Sequence, residues 1–309
     1  MRVAAIDIGT NSIRLLKAEI IDGKLISGPK ELNMTRIGEG VNETGMLSEA
    51  GMNRSVEALV DFEMKAKAWG AQEIFALATS AVRDARNRDV FLERVKSACD
   101  LKIEVISGEH EARIGYLGVL AGLENIEGNI LVIDVGGGST ELIVGDADGI
   151  KFAHSANVGA VRMTGKHIQS DPIKESEFVH VQEDVKDITQ DVLTEINKYS
   201  ITRAVGIGGT ATTLGAMKLK MEVYDRYKIQ NSHISLEEIK TLNTSLKALT
   251  IEERKNIKGL QPKRADIILA GAMVIEHVLI ETNIGNMYVS DFDNLEGCLM
   301  EKLILSDNS

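Results

Sequence analysis

One seven-residue frame occurs twice in this chain, and it limits the possible folds more than any other feature. Ile6-Asp7-Ile8-Gly9-Thr10-Asn11-Ser12 and Ile133-Asp134-Val135-Gly136-Gly137-Gly138-Ser139 share the order apolar, Asp, apolar, Gly, two variable residues, Ser, at a spacing of 127 positions. A repeat at that distance predicts a duplicated unit. Each copy sits at the first hairpin of a meander. Val3 to Ile8 and Ile13 to Ile20 are apolar runs either side of Gly9-Thr10-Asn11. Asp22-Gly23 marks the next turn, and a third strand is expected from Lys24 to Ile37. The pattern restarts at Asn129 with strands at Ile130 to Val135, Thr140 to Gly145 and Ile150 to Ala156. Helices and strands alternate after each meander, and Arg264 to Thr282 reads as one helix. Trp69, with Met64 and Phe62 nearby, reads as core.

The 309 residues suit two domains of ordinary size, with the boundary placed between Gly122 and Asn129. Hydrophobic residues at 44% and charged residues at 26% are the proportions of a folded globular chain. The net charge of −11 argues against broad binding of nucleic acid. A local phosphate site built from backbone N–H groups escapes that exclusion, because it needs little side-chain charge. Cys99 and Cys298 are too few for a disulfide framework. The first residues meet Asp7 too early for a secretory signal, and no apolar run is long enough for a membrane span, so a cytoplasmic protein without membrane contact is expected.

Two glycine hairpins at equivalent places in two domains are expected to face each other across an interdomain cleft and grip a phosphate chain. The residues concerned are Gly9, Thr10, Asn11 and Ser12 in the first, and Gly136, Gly137, Gly138, Ser139 and Thr140 in the second. A third element, Val205-Gly206-Ile207-Gly208-Gly209-Thr210, follows a strand and opens a helix. Gly208, Gly209 and Thr210 are therefore a candidate nucleotide or anion loop. It has neither the dinucleotide-binding spacing nor the lysine of a P-loop.

These motifs resemble the actin, sugar-kinase and chaperone-ATPase superfamily. More closely, the chain resembles the exopolyphosphatase and guanosine pentaphosphate phosphohydrolase (Ppx/GppA) family, in its short two-domain form. The closer match is carried by Asp7 to Ser12, Ala78 to Asn87, Ile106 to Arg113, Asp134 to Glu141, Gly159 to Arg162 and Arg264 to Asp266. The resemblance implies an α/β fold of duplicated ribonuclease-H-like domains with mixed sheets flanked by helices. Their expected extents are residues 1–124 and 125–293, with a helix at about 294–309 packing back on the first. It implies a hydrolase that removes terminal phosphate from inorganic polyphosphate, or the 5′-phosphate of guanosine pentaphosphate. Other nucleotides are conceivable partners, and self-association into a homodimer is left open. A kinase-like phosphotransferase and a non-catalytic nucleotide sensor are the alternatives on the same fold.

Phosphate removal needs a positioned water, a base and a sink for charge. Position alone leaves Glu109 and Glu111 equivalent, as two acids in the first turn of a helix; the resemblance makes Glu111 the base. Mg²⁺, or another divalent cation, binds through one or two carboxylates plus phosphate oxygens and water. Asp134 and Glu141 flank the second hairpin and are the leading ligands, with Asp7 as the equivalent candidate in the first domain. Arg83 is expected to offer its guanidinium fork to phosphate. Arg14 alternates along its strand and points either inward or to solvent.

Overall fold

The computed structural model describes residues 1–123 and 126–307. The expected boundary between residues 124 and 125, and the last two residues of the expected terminal helix, lie outside the described residues. The chain forms two compact units. One comprises Met1–Ala121 with Phe292–Ser309, the other Gly122–Asp291.

In the first unit the strands are β1 (Arg2–Ile8), β2 (Ile13–Ile21), β3 (Lys24–Ser27), β4 (Glu31–Asn33), β5 (Glu73–Ala78) and β6 (Ile103–Val105). The sheet order is β3-β2-β1-β5-β6, with β4 also on β2. β1 pairs antiparallel with β2 and parallel with β5, which makes a mixed sheet. Successive side chains of a strand point to opposite faces, and β1 divides accordingly. Ala4, Ile6 and Ile8 join a core with Leu59, Phe62, Phe91 and Val95, from the helices Glu49–Trp69 and Arg88–Ala98. Val3 and Ala5 join a second core with Ile114, Leu295 and Leu299, from the helices Gly108–Gly122 and Asn294–Asp307. Burial on both faces explains why β1 reads as a nearly unbroken apolar run.

The second unit repeats the plan with β7 (Asn129–Val135), β8 (Thr140–Asp146), β9 (Gly149–Ala156), β10 (Ile201–Ile207), β11 (Ser232–Ser235) and β12 (Asn286–Val289). Its order is β11-β12-β10-β7-β8-β9. β7 stands where β1 stands, antiparallel to β8 and parallel to β10. The duplicated α/β architecture with mixed sheets flanked by helices is thus present in both units. No helix among the described residues is long and apolar enough to cross a membrane.

Three expectations about local structure need correction. The run Lys24 to Ile37 is two short strands separated at Gly28, where a Cβ would lie 3.0 Å from the Lys17 carbonyl oxygen. Arg264 to Thr282 is broken: Pro262–Arg264 is a 3₁₀ turn and the α-helix starts at Ile268. Trp69 is only half-buried, and the Arg2 guanidinium stacks 5.2 Å from its ring centre. Nearby Met64 is exposed.

Candidate active site

Both hairpins close in the same way. The Gly9 N–H donates to the Ser12 carbonyl at 3.0 Å, and the Gly136 N–H donates to the Ser139 carbonyl at 3.0 Å. A Cβ on either glycine would lie 3.2 Å from that carbonyl oxygen, so both positions favour a residue without one. The carbonyls of each loop are held from behind. In the first, Arg36 N–H donates to Asn11 O and Gly38 N–H to Thr10 O, at 3.0 and 2.9 Å. In the second, Ala160 N–H donates to Gly136 O at 2.9 Å, Val161 N–H to Gly137 O at 2.8 Å, and the Arg162 Nε to Gly138 O at 2.7 Å. The N–H groups of Thr10, Asn11, Gly137 and Gly138 find no backbone acceptor among the described residues. Successive N–H groups left over in this way form an anion-binding concavity.

The first unit extends its hairpin to two charged side chains. Thr79 N–H donates to Ile8 O at the end of β1, and the hydroxyls of Thr10 and Ser80 are 2.9 Å apart. Ser80 opens the short helix Ser80–Asp84, which carries Arg83. Arg83 Nη1 donates to Glu111 Oε2 at 2.9 Å and to Ile106 O at 3.1 Å. Glu111 lies in the first turn of the helix Gly108–Gly122 and is 7% exposed. One line of contacts therefore leads from the first glycine loop to a buried carboxylate, with Arg83 held against that carboxylate.

Asp7, at the foot of this hairpin, faces Arg14 across the ladder. Arg14 Nε and Nη2 both donate to Asp7 Oδ2, while Asp7 Oδ1 is buried without a hydrogen-bond partner among the described residues. Arg14 Nη1 reaches Asp293, and Lys30 bridges Asp293 to Glu296 at 2.9 and 2.8 Å. Burial alone would push the Asp293 carboxyl up, but the Arg14 and Lys30 charges outweigh it and hold the group down at about 2. Arg14 therefore points inward, onto two carboxylates.

In the second unit Asp134 and Glu141 face each other across the β7–β8 ladder, so both lie on one face of the sheet. Glu141 is 1% exposed and accepts from Ser155 Oγ at 2.7 Å. Gly208 has φ +72°, and a Cβ on it would lie 2.3 Å from Asp134 Oδ1. The Asp134 carboxylate thus abuts the start of the helix Gly208–Lys218, a favourable place for negative charge. Thr210 Oγ1 donates to Val135 O at 2.7 Å, which ties that helix to the end of β7. The Arg264 guanidinium lies over Gly209, 2.4 Å from where a Cβ would be. Among the described residues, no three or more His, Cys, Asp and Glu side chains are arranged to hold a metal. The Asp134–Glu141 pair is a two-carboxylate set of the kind that binds hydrated Mg²⁺ together with phosphate oxygens.

Sequence reasoning did not assign Arg162, Gly38, Gly159 or Asp293 to this site. A Cβ on Gly159 would lie 2.7 Å from the Gly137 carbonyl, so its small size lets the next helix reach the loop. Gly159 to Arg162 does stand out as a motif, whereas nothing local marks Asp293.

Comparison with known proteins supplies the family. Residues 20–305 match the Ppx/GppA phosphatase family. The chain is 33% identical to exopolyphosphatase 2 of Mycobacterium tuberculosis, over 96% of this chain and 97% of that protein. It is 36% identical to a bifunctional 3-dehydroquinate synthase/phosphatase of Fusobacterium nucleatum, with 96% of this chain matched, and spans about half of that protein (46%). A crystal structure of the Aquifex aeolicus Ppx/GppA family member superimposes with a TM-score of 0.83 at 34% identity, covering 100% of this chain and 99% of that one. The chain belongs to the Ppx/GppA phosphatase family, and is with it a phosphate-releasing hydrolase.

Proposed function

We propose that this protein hydrolyses the terminal phosphoanhydride bond of inorganic polyphosphate, with the 5′-phosphate of guanosine pentaphosphate as an overlapping substrate. The observation that carries this reading is a buried carboxylate, Glu111, wired by Arg83 and Ser80 to a loop of unpaired backbone N–H groups. Both substrates end in a chain of phosphates, and such a loop reads phosphate rather than base.

In the reaction the loop N–H groups of each hairpin, with the hydroxyls of Ser12 and Ser139, are the donors offered to phosphoryl oxygens; the Thr140 hydroxyl is buried and donates to Val158 O, so Thr140 contributes through its backbone. These donors are fixed before substrate arrives, so charge developing on those oxygens meets dipoles that need not reorganise. Glu111 accepts a proton from the attacking water. The water oxygen bonds to the terminal phosphorus, the bridging P–O bond breaks, and its electron pair leaves with the shortened chain. Arg83 fixes the aim of the Glu111 carboxylate. Mg²⁺ fits the residues present: Asp134 and Glu141, on one face of their sheet, would hold it, whereas Asp7 in the other unit is already paired with Arg14. When bound, the cation would neutralise phosphate charge.

The test is orthophosphate release from polyphosphate and from guanosine pentaphosphate, each with Mg²⁺. Glu111→Ala should lower kcat by about 10²–10⁴-fold, the usual worth of a general base. Turnover within a few-fold of wild type removes Glu111 from the mechanism, and ATP-dependent transfer to an acceptor without phosphate release replaces hydrolysis with a kinase.

A further inference from the structure

The terminal helix Asn294–Asp307 meets the helix that bears Glu111 at unusually close range. A Cβ on Gly297 would lie 1.6 Å from the Ile114 carbonyl oxygen, and one on Gly118 would lie 2.0 Å from the Asp293 carbonyl oxygen. Only glycine at both positions lets the backbones come this near. One turn further along, Glu301 straddles the start of the partner helix. Its Oε2 lies 2.7 Å from His110 Nε2, and its Oε1 lies 3.1 Å from Arg113 Nε. The Glu301 side chain is 10% exposed and His110 27%, so the His110 contact is the sheltered one, while Arg113 reaches Glu301 from the surface at 60%.

His110 and Arg113 are three residues apart and share one side of the helix. Glu111 lies about 100° around from His110 and turns toward Arg83. The glycine crossing fixes the distance between the helices, and the two-pronged Glu301 contact fixes rotation about the helix axis. Rotation of the helix sets where the Glu111 side chain leaves it, and the Arg83 contact holds its carboxylate there.

We propose that Glu301 is a positioning residue for Glu111, acting through His110 and Arg113. The proposal rests on the reading of Glu111 as the base. A carboxylate misaimed by about 1 Å can lose up to ~10²-fold in rate without any change in substrate contacts.

The experiment is a kinetic double-mutant cycle on the full chain with polyphosphate and Mg²⁺. Glu301→Ala should lower kcat about tenfold with KM within about twofold, since no substrate contact is removed. In the Glu111→Ala background the same change should cost nothing further, because there is no base left to aim. Glu301→Gln should keep most of kcat. Its amide oxygen can accept from Arg113 and its NH₂ can donate to the neutral tautomer of His110. If Glu301→Ala fails to fold, the pair His110→Ala and Arg113→Ala removes the same two contacts from the other helix and should show the same split.

A Glu301→Ala enzyme with wild-type kcat overturns the proposal. So does a tenfold loss that persists in the Glu111→Ala background, which would mean that Glu301 acts elsewhere. If Glu111→Ala alone retains full turnover, the base assignment falls first and the positioning role falls with it. An inactive Glu111→Ala beside a normal Glu301→Ala leaves the base standing and removes only the clamp.

Discussion

Across the ladder from the hairpin aspartate stands Arg14 in the first unit and Glu141 in the second. The closure of the two loops around that exchange is alike. The same Gly N–H to Ser carbonyl bond closes each loop at 3.0 Å, and the same 3.2 Å clearance surrounds each glycine. In the first unit Asp7 is neutralised by the largely buried Arg14, which in turn is shared with Asp293. In the second, two carboxylates face each other, an arrangement that ordinarily destabilises a sheet. One backbone plan therefore serves two electrostatic tasks. The first hairpin pairs its acid with a cation across the ladder, while the second sets it opposite another carboxylate.

The largest expected effect comes from removing the compensating charge. Arg14→Met leaves Asp7 without its cation and Asp293 with only Lys30, so stability should fall by about 3–5 kcal/mol, read as a lower unfolding midpoint in urea. A midpoint unchanged from wild type would show that Asp7 is stabilised by something other than Arg14. Next is Glu141→Gln, which keeps the Ser155 hydrogen bond but halves the facing charge. Turnover should drop about a hundredfold, or ~2.7 kcal/mol of transition-state stabilisation. Half-maximal turnover should then need more Mg²⁺, while the metal-free protein becomes slightly more stable by ~0.2–1 kcal/mol. If metal dependence and stability both stay where they are, the facing carboxylates are not a cation site.

Much of this contrast was legible in the residues themselves. The repeated frame gave the duplication, because alternation and turn chemistry are local properties. The spacing of Asp134 and Glu141 around a four-residue turn fixed their register, because a tight hairpin leaves little freedom in pairing. The direction of Arg14 was not legible. Its partner Asp293 is 279 positions away, and no local pattern encodes a contact that exists only after the terminal helix has docked. Glu301 was hidden for the same reason. Position alone left Glu109 and Glu111 equivalent, because helix-end electrostatics favour both; the resemblance chose Glu111, and the fold adds that Glu111 is buried and accepts from Arg83. The break at residues 265–267 was missed because its flanking residues are good helix formers, and the Pro262 that opens the 3₁₀ turn lies before the expected start.

A smaller effect concerns acid. Asp293 is held at about 2, below its ordinary 3.8, so between about pH 4 and 2 the unfolded chain binds protons that the folded chain does not. Its contribution to stability is complete above about pH 5 and is lost as pH falls through 4 toward 2. The difference in urea midpoint between wild type and Asp293→Asn should be constant above pH 5 and shrink below pH 4. A difference independent of pH would mean that Asp293 is not held ionised by Arg14 and Lys30.

The smallest effect tests whether the two scaffolds are equivalent. Gly9→Ala and Gly136→Ala each place a methyl 3.2 Å from a serine carbonyl, which must yield by a few tenths of an ångström. Overpacking of that kind costs about 1 kcal/mol when the neighbour is held firmly. Both neighbours are held: Arg36 and Gly38 brace the first loop, while the helix Ala160–His167 and Arg162 brace the second. Near-equal losses in urea midpoint are therefore expected, with similar decreases in turnover, because both methyl groups displace the N–H groups proposed to hold phosphate. A markedly larger loss at Gly136 than at Gly9 would show that the second loop, fixed by a helix start and a guanidinium, is the stiffer of the two. The shared backbone plan would then conceal a mechanical difference as well as an electrostatic one.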